Sequence, residues 1–342
     1  MKFCHAVVAC AFMASAIPGH ANLIITPTFD SSLGGQPERD AVDAAISVYE
    51  NTFSNNINVQ IYFQAFTANS GLGQSDVGRV YLPSYRSYYD NLVATNANPT
   101  AIASLIAKGG NGDSNGGIDP VLGAATILVK SADLRAVGVA AATPLCFVTA
   151  GDTAPGTNAP NHCASTGTNP VDGIITLNTN ITTPPGVATL YFLQSVVQHE
   201  IDEVLGLGSA LPGTNAGAGV AVTNTRVAPE DLWRFDSAGN RVFNVSNCGT
   251  PGRAFFSADG SGTGQEFNNV CNGADFGDWK NTSAAAQVQD AFATAGATPS
   301  LGANEISALT AIGYTLAAPE PGTSTLLLAS FAVLGALRRR RG

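Results

Sequence analysis

Apolar positions along the chain fall into two periods, and the changes between them mark out the elements. Residues 23–25, all apolar, read as a strand. Across residues 40–53 the apolar side chains of Val42, Ala45, Val48 and Tyr49 recur every three or four positions, the spacing of one helix face. Residues 57–66 then alternate, with Val59, Ile61 and Phe63 on one side, as a half-buried strand does. Strand, long helix, strand is the opening of an α+β domain. Residues 70–89 and 96–110 read as a loop and a pair of helical segments, and 109–117 as a Gly/Asn-rich loop. Further strands are predicted at 126–129 and 173–178, and no internal repeat is evident.

Residues 189–206 carry the strongest pattern. They follow Pro184-Pro185-Gly186, a natural place for a helix to begin. Phe192, Leu193, Val196, Val197, Ile201 and Val204 form a broad apolar stripe, and Gly206 and Gly208 end it. A short closing helix is predicted over 304–313, with Ile306, Leu309 and Ile312 inward. Trp233, Phe235, Phe255, Phe256 and Trp279 are expected in the core.

The two ends depart from this globular pattern. Lys2, an apolar run from Phe3 to Ile17 and small residues up to Ala21 have the order of a cleavable secretory signal over 1–21. At the other end Pro319-Glu320-Pro321 is followed by an uncharged apolar stretch, 323–337, and by Arg338 to Arg341. A short membrane helix with a cytoplasmic arginine block fits that order. This tail resembles the PEP-CTERM sorting signal, which implies an exosortase-type processing enzyme as a partner, transient anchoring in the inner membrane, and a final place in the envelope or extracellular matrix. A plain C-terminal anchor is the alternative. Residues 22–318 are then one domain, since no change of composition divides them.

Charge and cysteines narrow the class. The chain carries −9, or −14 without Lys2 and the four tail arginines, so nucleic acid and anionic membrane surfaces are poor partners. Cys146, Cys163, Cys248 and Cys271 remain once the signal is gone, and three pairings are open to them. In an oxidising compartment the local pairs Cys146–Cys163 and Cys248–Cys271 would each staple a Gly/Asn/Pro-rich loop. No Cys-x-x-Cys spacing supports a four-cysteine metal site.

The chemistry lies on the long helix, as His199-Glu200-x-x-Glu203. His199 and Glu203 are i and i+4, so both side chains can reach one cation. Glu200 points about a quarter turn away, where a carboxylate can take a proton from water on the ion. This is the layout of His-Glu-x-x-His zinc proteases with glutamate in place of the second histidine, and carboxylate oxygen is an accepted zinc ligand. Gly206 stands where metzincins place a glycine. Ser209 takes the place of their third histidine, and no methionine is left for a Met-turn, because Met1 and Met13 belong to the signal. A third ligand is sought in Glu230, Asp231 or His162. Asp231 also suits a helix N-cap, and His162 a surface loop. Asp202 is expected to face solvent. Asp259-Gly260 and residues 275–278 could touch Ca²⁺, although turn chemistry explains them too.

The wider chain resembles a group of PEP-CTERM-bearing predicted metalloproteases that share a His-Glu-x-x-Glu-Val-x-Gly helix. The likeness takes in 199–206, Asp231-Leu232-Trp233-Arg234-Phe235, Phe255-Phe256-Ser257, Asp259-Gly260, Gly277-Asp278-Trp279 and 308–316. It implies a zincin-like α+β domain with a mixed sheet and a long active-site helix. It also implies Zn²⁺ on His199 and Glu203, Glu200 as general base, and a peptide or protein substrate. The contrasting expectation is an inactive zincin-like envelope or matrix protein that only binds or supports.

Overall fold

The computed structural model describes residues 23–77, 80–139, 171–183, 189–211, 226–243, 253–270, 274–281 and 285–318. The four body cysteines, His162, the N-terminal signal and the apolar tail lie outside these residues. Among the described residues no helix is long and apolar enough to cross a membrane.

The chain opens with β1 (Ile24–Phe29), α1 (Gln36–Thr52), β2 (Asn58–Phe66) and β3 (Gly73–Val77). After β4 (Val80–Tyr81) come α2 (Tyr85–Thr95), α3 (Pro99–Leu105), β5 (Val129–Lys130) and α4 (Ser131–Ala136). Next follow β6 (Gly173–Asn178), β7 (Thr182–Thr183), β8 (Tyr191–Phe192) and α5 (Leu193–Leu205). A 3-10 turn, Pro229–Trp233, leads into β9 (Arg234–Phe235), β10 (Phe255–Phe256) and β11 (Gln265–Glu266), and α6 (Ala303–Ala311) closes the order.

The main sheet runs β1-β2-β6-β3. The pairs β1–β2 and β2–β6 are parallel, whereas β3 pairs antiparallel with β6 and leaves its other side at the sheet edge. The sheet is therefore mixed, and the architecture is α+β. Val59, Ile61 and Phe63 of β2 and Ile175 and Leu177 of β6 are fully buried, as the alternation requires. Helices α1 and α5 pack on one another and on the sheet. The approach is close at two glycines: a Cβ on Gly173 would stand 2.4 Å from Val204, and one on Gly73 would stand 2.4 Å from Glu200 Oε1.

Four local expectations need correction. Residues 70–89 hold a strand, β3, that the reading as loop and helical segments lacked; Gly-Gln-Ser-Asp-Val carries no apolar alternation to announce it. The long helix starts at Leu193, since Tyr191 and Phe192 first pair with Thr182 and Thr183. The strand expected at 126–129 is reduced to Val129–Lys130, with Thr126 making only a single bridge to Ser84. Asp202 does not face solvent. It is fully buried, and the Tyr49 hydroxyl from α1 lies 2.8 Å from its Oδ1 and 2.7 Å from the Gln198 carbonyl. Burial drives the Asp202 pKa upward, and the contact ties α1 to α5.

Beyond α5 the chain builds an aromatic layer. Phe256, Phe267 and Trp279 form a triangle with ring centroids 5.3–6.4 Å apart. Arg234, buried here, lies 4.2 Å over the Phe267 ring and donates 2.7 Å to the Phe276 carbonyl. The layer fixes the backbone immediately before Asp278.

Candidate metal centre

Helix α5 delivers His199, Glu200 and Glu203 to the wall of a cleft of about 1240 Å³. The segment 71–75, including the start of β3, lines the cleft beside the helix, and parts of 287–299 line it as well. Asp278 arrives from the loop that follows the aromatic layer. One ligand-type atom from each of His199, Glu203 and Asp278 falls within 4.8 Å of the others. His199 Nε2 is 3.8 Å from Glu203 Oε1 and 3.9 Å from Asp278 Oδ1.

The other ring nitrogen fixes how His199 presents itself. Nδ1 lies 3.0 Å from the Val288 carbonyl, which can only accept, so Nδ1 carries a proton and the Nε2 side of the ring is turned toward the two carboxylates. Glu203 is oriented from β3, where Ser75 donates a short hydrogen bond to its Oε2 and leaves Oε1 toward the cluster. Asp278 Oδ1 takes 3.0 Å from Gln289 Nε2, and the Asp278 carbonyl takes 2.8 Å from Asn268 N. Glu305, at the start of α6, ties this support together: its Oε1 accepts from Trp279 Nε1 and Gln289 N.

Electrostatics match the crowding of like charges. Burial works against a charged His199, but Asp278, Glu200 and Glu203 overcome it and hold the ring up at about 10. Burial, with Glu203 and Asp275 adding, pushes Asp278 up to about 7. Burial and the Glu203 charge raise Glu200 well above the ordinary carboxylate range. Such a cluster holds more protons than its members would apart, and a divalent cation relieves the same repulsion.

The donor set and its spacing fit a small divalent ion. Three ligands about 2.1 Å from a tetrahedral centre stand about 3.4 Å from one another, which a small side-chain contraction would reach from the observed separations. One imidazole nitrogen with two carboxylate oxygens suits Zn²⁺, and harder ions such as Mn²⁺ as well. Glu200 adds no atom to this triad; it is 4 % exposed and lies against Gly73.

The other residues singled out in the sequence go elsewhere. Glu230 Oε2 accepts 2.6 Å from Gly208 N, and Asp231 accepts from Ser209 Oγ, Ala210 N and Ala228 N. Both carboxylates are buried and shape the turn after α5, so neither joins His199. Asp259 binds Ser257 and Ser261 within its own turn. Asp278, by contrast, was marked only within the 275–278 stretch weighed for Ca²⁺ and beside Gly277 and Trp279, never as a partner of His199, and Glu305 and Gln289 carried no signal for this site.

No curated protein and no solved structure matches the chain. The C-terminal residues 317–341 match the family described as the PEP-CTERM protein-sorting motif, so this end carries a signal that exosortase-type enzymes recognise and that sorts an exported protein to the cell envelope.

Proposed function

We propose that the chain is an exported zincin-like metallopeptidase in which His199, Glu203 and Asp278 hold a divalent ion, Zn²⁺ by preference, and Glu200 is the general base. The observation that carries this reading is the meeting of three ligand-type groups beside a separate buried carboxylate on one cleft wall. When bound, such an ion supplies Lewis acidity and makes a coordinated water easier to deprotonate. Glu200, kept from bulk solvent on the same cleft wall, is placed to take a proton and return it to a leaving amine. His199 is held in register by Val288, and Glu203 by Ser75. The β3 edge beside the helix offers backbone groups against which an extended peptide can lie as an added strand. The mixed sheet, its antiparallel edge strand and the helix packed beneath support the zincin-like reading of the fold.

The test separates ligand from base. Glu200→Gln should keep about one zinc per chain while peptide hydrolysis falls by roughly 10²–10⁴-fold. Asp278→Ala and His199→Ala should lose the metal. Wild-type chain that takes up no zinc at micromolar free metal would assign the helix to a binding or supporting protein.

A further inference from the structure

Asp290 brings to the cleft a carboxylate that the proposed chemistry does not use. It is 5 % exposed and lines the cleft. Its Oδ2 accepts 2.9 Å from Gln287 N, closing a local turn, but its Oδ1 is buried and has no hydrogen-bond partner among the described residues. A buried carboxylate oxygen left without a donor is costly, and its neighbours do not make up the loss. Glu305 nearby is an acid whose Oε1 and Oε2 already take Trp279, Gln289 and Gly302 donors.

Apart from His199, the ionisable groups on the walls are acids. Glu200, Glu203, Asp275, Asp278 and Asp290 all line the cleft, and among the described residues no lysine or arginine does. A divalent ion would offset Glu203 and Asp278, leaving Glu200, Asp275 and Asp290 to set the field. Two residues beyond Asp290, Phe292 is 49 % exposed and lines the same cleft. An acidic wall that also carries an exposed ring suits a long side chain with an apolar stem and a cationic head.

From this arrangement we infer that the cleft selects peptide segments bearing a lysine or arginine side chain, whose cationic head is drawn to the Asp290 carboxylate while its stem lies on Phe292. The inference rests on the peptidase reading for its substrate class, but its test does not require turnover.

The full chain carrying Glu200→Gln, supplied with zinc, is titrated with a fluorescein-labelled alanine-glycine hexapeptide containing one central arginine. Its glutamine and glutamate counterparts serve as comparison, and binding is read by anisotropy at low salt. The arginine peptide should bind about tenfold more tightly than the glutamine peptide, and the glutamate peptide more weakly than either. Adding Asp290→Asn, which keeps an oxygen to accept from Gln287 N, should reduce the arginine advantage to about twofold or less. Equal binding of the arginine and glutamine peptides overturns the inference, as does an arginine advantage that persists in Asp290→Asn. Failure of the peptidase reading has a different signature, namely absent zinc or absent hydrolysis by the wild-type chain with the arginine preference intact.

Discussion

At the scale of single residues, the proposed site would set protons and a cation in competition for the same few atoms. His199 is held cationic up to about pH 10 by Asp278, Glu200 and Glu203, and Asp278 keeps a proton up to about pH 7. A cation needs Nε2 bare, so its uptake at pH 7 should expel at least one proton. Affinity should therefore climb with pH, by about tenfold per unit for each proton released. Calorimetry in two buffers of different ionisation heat counts those protons directly, and affinity that stays flat between pH 6 and 8 would contradict the arrangement. His199, Glu200 and Glu203 were legible in the sequence because helical spacing alone places i and i+4 together. Asp278 was not, since it is brought in from a loop by Arg234, Asn268 and Gln289, contacts that no local pattern encodes. Asp202 was misread for a related reason. A polar residue on a helix reads as outward unless a partner such as Tyr49 is known to wait inside.

At the scale of elements, the decisive meeting is between α5 and β3. Gly73 lets the strand backbone ride directly over the helix, and an added methyl would stand 2.4 Å from Glu200 Oε1 and 3.0 Å from Val196 Cγ1. Gly73→Ala should therefore displace the Glu200 carboxylate while leaving the three ligand-type groups in place. Activity should drop by about 10²-fold, the effect of an ångström-scale misplacement, with zinc content unchanged. Thermal unfolding should show a loss of about 1–3 kcal/mol from overpacking. Full activity in this variant would mean that Glu200 is not the base. The strands β1, β2 and β6 and helices α1, α5 and α6 were readable because each buries a regular face. β3 was not, because an edge strand beside a polar cleft buries too little to leave a period.

At the scale of the whole molecule, the C-terminal sorting motif and the acidic body belong to one exported product. The tail was legible because its three parts are contiguous, whereas sheet order was not: nothing local says that β6 inserts between β2 and β3. If the N-terminal signal and the tail are both removed, intact mass of protein from its native host should lack residues 1–21 and the stretch beyond Pro321. Recovery of a mature chain that still carries Arg338 to Arg341 would rule out cleavage of the tail.

The position of β6 also sets the order in which the molecule can be made. Its parallel partner β2 pairs Ile61 with Gly173, and its antiparallel partner β3 pairs Val77 with the same residue, so neither contact can form until the intervening chain has emerged. Pairings this distant in sequence make folding slow, on a scale of milliseconds to seconds or longer. The sheet can close only once residues 173–178 are present, and the cluster of His199, Glu203 and Asp278 only once the chain has reached residue 278, so the groups proposed to hold an ion come together last.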